Sequence, residues 1–140
     1  MADDDSDDRF VAERALRGTS LEGRLRFVED GVELMDYLHH RGEFAGATLP
    51  SLILLDLNMP RMNGMEVLEQ LKTDPQLRRI PVVVLTTSSA EEDVVRSYDL
   101  GVNAYVTKPV TFSALKDVLV KVGQLWLEVA RQPFTAAPCP

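Results

Sequence analysis

The 140-residue chain has few of the features that tie a protein to a membrane, to nucleic acid or to an oxidising compartment. Its single cysteine, Cys139, cannot form an internal disulfide, which favours a reducing cytoplasm. No apolar run approaches the roughly 18 residues of a membrane span, and the acidic N-terminus lacks the basic and apolar parts of a secretory signal. The formal net charge of -7 argues against nucleic acid, which binds basic faces. We therefore expect a cytoplasmic protein with neither a membrane nor a nucleic-acid partner.

Hydrophobic periodicity divides the chain into alternating strands and helices. Residues 52–55 and 80–85 are short, continuous apolar runs typical of buried strands, and residues 24–28 alternate like a half-buried strand. Helical spacing lies between these runs. Asn63 is expected to cap one helix and Ser89 to open another through a capping box. This alternation predicts an α/β fold with a doubly wound parallel sheet.

A single domain is expected to span residues 1–132, followed by a proline-bearing tail over residues 133–140. The last amphipathic helix, over residues 112–129, would be about 27 Å long at 1.5 Å per residue. One small sheet offers too little surface to cover both Trp126 and Leu127 at its far end. The sequence therefore predicts a homodimer that uses the C-terminal half of the chain.

Reactive side chains follow three predicted strands at the point where each strand ends. Asp56 follows one apolar run, Thr86 opens a group of hydroxyls after the next, and Lys108 follows a short third strand. Because the carboxyl ends of parallel strands meet at one edge, the fold would bring a carboxylate, a hydroxyl and an ammonium together. On its own stretch, Asp56 fits an ordinary turn or helix cap equally well.

An acidic run near the N-terminus, Asp3 to Asp5, would complete this site if it reaches the same edge. Several carboxylates in one pocket repel one another unless a hard cation joins them, and Mg²⁺ prefers oxygen ligands together with water. Such a site has what phosphoryl transfer requires, with Asp56 attacking in line to give an aspartyl phosphate. A charge run of this kind is more often a solvated tail, and that interpretation stays open here.

Taken in order, the motifs make the chain similar to the receiver domains of two-component response regulators. The motifs are Asp3-Asp4-Asp5, Leu-Leu-Asp56-Leu-Asn-Met-Pro60, Asn63-Gly64, Leu-Thr86-Thr87 and Ala-Tyr105-Val-Thr-Lys108-Pro109. Each motif is weak alone, but the ordered set is specific. The resemblance implies a flavodoxin-like sheet of five strands in the order 2-1-3-4-5. With no effector domain apparent, the chain looks most like the stand-alone regulators of bacterial phytochrome kinases.

The resemblance also implies a role for each side chain at the predicted edge. Asp56 would be the phosphoacceptor and Lys108 the lysine that stabilises the phosphoryl group. Thr86 would be the switch hydroxyl that moves to the phosphoryl group, and Tyr105 the aromatic that follows it inward. The bond between Lys108 and Pro109 is cis in many such domains.

The metal and the partners follow from the same resemblance. Asp3 and Asp4 would form the acidic pair of a Mg²⁺ site, in which Asp4, Asp56 and the backbone carbonyl of Asn58 bind the ion. The expected partner is a sensor histidine kinase of the bacterial phytochrome type, and related regulators tend to form dimers.

Two other functions compete with this interpretation. Phosphatases of the haloacid dehalogenase type also use a strand-end aspartate with Mg²⁺, but usually carry a second aspartate two residues later as acid and base. Here that residue is Asn58, which cannot exchange protons. The second alternative is a receiver-like interaction module that is never phosphorylated.

The resemblance implies a buried first strand between the strands at residues 24–28 and 51–55, and this chain largely lacks it. Only Met1 and Ala2 precede the acidic run, so we expect the numbering to begin late, with these residues as the strand's surviving end. If the chain folds as written, the flanking strands would pair directly or admit a segment from a second subunit. Either closure would displace the acidic pair from the pocket and weaken Mg²⁺ binding.

Overall fold

A computed structural model describes residues 1–130, so the predicted tail and the predicted end of the domain lie outside the described residues. The described helices are α1 (Ser6–Leu16), α2 (Gly31–Leu38), α3 (Gly64–Thr73), α4 (Glu91–Asp99) and α5 (Phe112–Gln124). The strands are β1 (Ile53–Leu55), β2 (Val82–Thr86) and β3 (Ala104–Thr107). Short 3-10 turns occur at Gly42–Phe44 and Leu77–Arg79, and a π-helical turn, Leu125–Val129, follows α5.

The three strands form a parallel sheet in the order β1-β2-β3, with Ile53 beside Val82 and Val84 beside Tyr105. Alternate residues of the buried strands point to opposite faces, so the sheet has two apolar cores. Leu55 and Val84 pack in the core under α2 and α3, whereas Val83 packs in the core under α1 and α5. This arrangement confirms the predicted doubly wound α/β fold.

Ala2 takes the central position predicted for the missing strand. It forms parallel bridges with both Val28 and Leu55, so the N-terminal segment lies between the two flanking segments. The Ala2 N–H donates to the Leu54 carbonyl at 2.9 Å, and its own carbonyl accepts from Asp56 N–H at 3.1 Å. The expectation that the flanking strands close on each other is therefore wrong, because two residues suffice to keep them separated. The positions agree with a 2-1-3-4-5 order.

The predicted strand at residues 24–28 is formed only in part. Val28 makes a bridge to Ala2 and the Met1 ammonium donates to the Arg26 carbonyl at 2.7 Å, but residues 24–27 are not in a strand. A cavity of about 300 Å³ separates the rest of the segment from the start of β1. Apolar side chains line much of it, including Leu16, Leu21, Leu25, Leu52, Leu119 and Leu127. The sheet is thus tied together at its carboxyl edge and open towards the opposite edge.

Local capping agrees with the sequence at one helix and not at another. Asn63 caps α3 in a reciprocal capping box with Glu66, as predicted. The predicted capping box at Ser89 is wrong, because the N-cap of α4 is Ala90, without a side-chain bond. The Ser88 hydroxyl supports this turn by donating to Asp93 in the first turn of α4 at 2.6 Å.

The C-terminal helix is better covered than the sequence suggests. Trp126 and Leu127 both pack partly against the core under α1 and α5, so the argument that the far end of the helix is bare is wrong. Leu125 and Val129 are the exposed apolar residues of this turn. Homodimerisation itself stays a prediction. No helix within residues 1–130 is long and apolar enough to cross a membrane.

Candidate functional site

Three carboxylates meet at the carboxyl edge of the sheet. One oxygen from each of Asp3, Asp4 and Asp56 lies within 4.8 Å of the other two. Asp3 is 0% exposed and Asp56 is 6% exposed, whereas Asp4 faces solvent. The acidic run is therefore part of the fold and not a solvated tail. Its oxygen-only donor set, with two buried carboxylates and one open side, fits a hard divalent cation that keeps some of its waters.

Backbone hydrogen bonds fix the two buried acids side by side. The Asp3 N–H donates to the Val28 carbonyl at 3.1 Å, and the Asp56 N–H donates to the Ala2 carbonyl at 3.1 Å. Each acid is therefore the first residue beyond a paired position of the sheet. Because this ladder holds Asp3 in place, the predicted displacement of the acidic pair does not occur.

Lys108, just beyond β3, joins the acids from the other side of the site. Its ammonium donates to Asp3 at 2.7 Å, to Asp8 at 2.7 Å and to Asp56 at 3.1 Å. These three bonds use all the donors of an ammonium group. The peptide bond to Pro109 is trans, unlike the cis bond that the resemblance suggested.

The pKa values of this cluster reflect both burial and charge. Burial raises the pKa of Asp3 above its ordinary value, and the hydrogen bond from Lys108 offsets only part of this effect. Burial acts to lower the pKa of Lys108, but the bonds to Asp3 and Asp8 outweigh it and hold this pKa well above its ordinary value. Lys108 is therefore a fixed positive charge at neutral pH. The site holds the carboxylates of Asp3, Asp4, Asp8 and Asp56 against this one ammonium. The excess of negative charge favours binding of a cation.

Thr86 and Tyr105 lie on the side of the site that leads towards α4. The buried Thr86 hydroxyl donates to Asp56 Oδ1 at 2.9 Å, so it already reaches the carboxylate. Tyr105 is half-buried against the core, and its hydroxyl donates to the Ser88 carbonyl at 2.9 Å. The loop that begins at Thr86 and leads into α4 is thus held between Asp56 at one end and Tyr105 at the other.

One hydrogen bond and one ion pair hold the loop after Asp56 in place. The Asn58 N–H donates to Asp56 Oδ1 at 3.2 Å, which orients the carboxylate. Arg61 adopts a positive φ of 63° and forms a bidentate ion pair with Asp30 at 2.8 and 3.1 Å. Because Asp30 also caps α2, this ion pair ties the loop to a helix on the same face of the sheet.

Sequence reasoning missed two of these contributors. Asp8 lies beyond the run Asp3 to Asp5, and its contact with Lys108 has no local signal because 100 residues separate the two. The Arg61 to Asp30 pair has no local signal, because 31 residues separate its members. The predicted site residues that come together are Asp3, Asp4, Asp56, Thr86 and Lys108. Asn58 lies beside Asp56 in the loop, whereas Tyr105 bonds the Ser88 carbonyl away from the acids.

The chain is similar to known proteins in both sequence and structure. The sequence profile of the response regulator receiver domain matches residues 1–120. The chain is 42% identical to response regulator Rcp1 of Synechocystis sp., over 95% of this chain and 90% of that protein. It is similar to the solved structure of the phosphorylated cyanobacterial phytochrome response regulator RcpA, with a TM-score of 0.88, 44% identity and 95% of both chains covered. The Mn²⁺-bound form of Rcp1 gives a TM-score of 0.86 with 39% identity, over 95% of this chain and 96% of that one.

Proposed function

We propose, from the premise that this chain belongs to the response regulator receiver domain family, that it accepts a phosphoryl group on Asp56 from a sensor histidine kinase. One observation carries the proposal: Asp56 is a nearly buried carboxylate whose two oxygens accept from Thr86 and Lys108 at 2.9 and 3.1 Å. A hydroxyl and an ammonium are thus held where they can bond the oxygens of an incoming phosphoryl group.

The chemical step is an in-line displacement at phosphorus. A carboxylate oxygen of Asp56 forms the new P–O bond while the P–N bond of a phosphohistidine, or the P–O bond of acetyl phosphate, breaks and its electron pair leaves with the donor. Lys108 bears a fixed positive charge and stabilises the phosphoryl oxygens as the bonds exchange. Asp3, Asp4, Asp56 and the Asn58 carbonyl would hold Mg²⁺, which supplies further positive charge to those oxygens when bound. The Mn²⁺-bound form of the relative Rcp1 supports a divalent cation here.

Phosphorylation then alters the surface around α4. The phosphoryl group carries up to about two negative charges where the carboxylate carries one, so its oxygens are stronger acceptors for Thr86 and Lys108. Since Thr86 begins the loop that Tyr105 holds at Ser88, a shift of the hydroxyl is transmitted to that contact. We expect a change in the population of two arrangements of this loop, and so in the surface formed by α4 and β3.

The proposed partner is a histidine kinase of the bacterial phytochrome class. Support comes from the similarity to RcpA, which is a phytochrome response regulator. Homodimerisation through the C-terminal half is proposed from the exposed apolar side chains of Leu125 and Val129 at the end of the last helix, and light scattering of the whole chain at high concentration tests it. A monomer under those conditions would contradict the dimer without affecting the phosphorylation site.

The phosphorylation proposal is tested by incubating the protein with acetyl phosphate and Mg²⁺ and measuring the mass of the intact chain. We expect one labile phosphoryl group on the parent, none on Asp56→Asn, and normal labelling of Asp99→Asn, a control with an exposed acid distant from the site. Asp4→Asn should label slowly and recover at high Mg²⁺, because it weakens only the metal site. An unlabelled parent would instead support the unphosphorylated interaction module, and full labelling of Asp56→Asn would assign the acceptor elsewhere.

A further inference from the structure

Asp8 contacts the lysine of the site without belonging to the metal cluster. Its Oδ2 lies 2.7 Å from the Lys108 ammonium, as close as the buried Asp3 and closer than Asp56. The candidate metal ligands are Asp3, Asp4 and Asp56, and Asp8 is not among them. Asp8 therefore differs from the other two partners of Lys108, because its charge serves only the ammonium.

The other two carboxylates, Asp3 and Asp56, are partners of the Lys108 ammonium and also candidate ligands of a divalent cation. Asp3 and Asp56 both accept hydrogen bonds from Lys108, and both lie in the cluster that fits a divalent ion. A cation that enters this cluster draws on their charge and repels the ammonium at the same time. With only these two partners, Lys108 would be free to move away from Asp56 when the site is loaded.

We propose that Asp8 is a positioning residue, which holds the Lys108 ammonium beside Asp56 when a divalent cation shares the charge of Asp3 and Asp56. This inference rests on the proposed phosphorylation of Asp56. Asp8 acts through Lys108 and does not itself contact the phosphoryl group.

The start of α1 is built to keep Asp8 in place. The side chain of Asp5 caps the helix by accepting from the N–H groups of Asp7 and Asp8, at 2.8 and 3.4 Å. Arg9 donates to the Asp3 carbonyl at 2.7 Å, which ties the first turn of α1 to the acidic edge. An anion in the first helical turn is also favoured by the helix dipole. The Asp8 side chain is 34% exposed, so it can be changed without opening the core.

The test compares initial rates of acetyl phosphate labelling across a series of Mg²⁺ concentrations. We expect Asp8→Asn to lower the rate at saturating Mg²⁺ by about tenfold, as loss of one charge-assisted hydrogen bond implies. Extra Mg²⁺ should not restore it, in contrast to Asp4→Asn. Asp8→Glu should recover most of the rate. Asp7→Asn removes the same charge from the adjacent residue of the same turn, which makes no side-chain bond among residues 1–130, and should stay within about twofold of the parent.

A second measurement does not depend on phosphorylation. Acylation of Lys108 by acetic anhydride, read by peptide mass with and without Mg²⁺, should be several times faster in Asp8→Asn than in the parent or Asp7→Asn, with the larger difference in Mg²⁺. Equal acylation of parent and Asp8→Asn under both conditions would overturn the proposal, as would a saturating labelling rate that Asp8→Asn leaves unchanged. A parent that is never phosphorylated would refute the proposed function, and the acylation rates would then decide the role of Asp8.

Discussion

The two edges of the parallel sheet differ in how tightly they are built. At the carboxyl edge, Ala2 is only 1% exposed and pairs on both sides, and the acids beyond it are bonded to an ammonium and a hydroxyl. Towards the opposite edge, the segment 24–26 and the start of β1 part around the apolar cavity. The comparison indicates that a very short central ladder is enough to place the site. The absence of strand pairing at residues 24–27 should therefore lower the stability of the protein and leave the site geometry intact.

Adding a methyl group at each edge in turn should have very different effects on stability. A Cβ at Gly64 would lie 2.5 Å from the Asp56 carbonyl oxygen and 2.7 Å from Leu57 Cα, both backbone atoms that cannot move without disturbing the site. Gly64→Ala should therefore destabilise the protein by about 3 kcal/mol and reduce labelling of Asp56. At Gly123 the three atoms nearest to the new Cβ all belong to the side chain of Leu21, which lines the cavity and can turn into it.

We expect Gly123→Ala to change the free energy of unfolding by no more than about 1 kcal/mol, since the higher helix propensity of alanine offsets the contact. Labelling should be normal. Urea denaturation and acetyl phosphate labelling of the two variants measure the difference. Equal losses in both variants would show that the cavity edge is packed as tightly as the site edge.

An extension of four β-branched residues ahead of Met1 would lengthen the central strand towards the cavity. Filling the cavity with apolar side chains should raise the free energy of unfolding by about 2 kcal/mol, the value of burying one such side chain. Because the backbone ladder already holds Asp3 and Asp56, the affinity for Mg²⁺ should change by less than about twofold. A Gly-Ser extension of equal length is the control. A large gain in Mg²⁺ affinity would mean that the two edges are coupled after all.

The smallest expected effect concerns the ion pair that ties the Asp56 loop to α2. Burial acts to raise the pKa of Asp30, but the hydrogen bonds from Arg61 and from the Glu33 N–H outweigh it and hold this pKa below 3.8. A carboxyl group whose pKa is lower in the folded state than in the unfolded state stabilises the fold at pH values above its unfolded-state pKa. This stabilisation is lost as the pH falls through its folded-state pKa. Arg61→Gln should raise the Asp30 pKa, so acid unfolding begins at a higher pH.

Circular dichroism during an acid titration measures this shift. Arg41→Gln is the matched control, because its ion pair with Asp36 is longer, at 3.4 Å, and more exposed. The stability difference between Arg61→Gln and the parent should shrink once the pH is low enough to protonate Asp30 in both. A difference that persists unchanged at low pH would attribute the effect to lost packing of the Arg61 side chain instead of charge.

Sequence reasoning could anticipate the alternation of strands and helices and the meeting of Asp56, Thr86 and Lys108 at one edge. Both follow from rules that depend on local pattern and on parallel topology. It could not anticipate how Ala2 pairs, because two residues carry no periodicity. It also could not anticipate the Asp8 contact, since a charged side chain in an acidic run has no signal for its distant partner.

The sequence separation within the acidic edge has a kinetic consequence. Lys108 and Asp3 are 105 residues apart along the chain, and the Thr86 bond to Asp56 spans 30. Contacts of such high order form only after the intervening loops have closed, so they are expected late on the folding pathway. A nascent or partly folded chain would therefore present Asp56 without its ammonium and hydroxyl. Competence to receive a signal would then be acquired only when folding is complete.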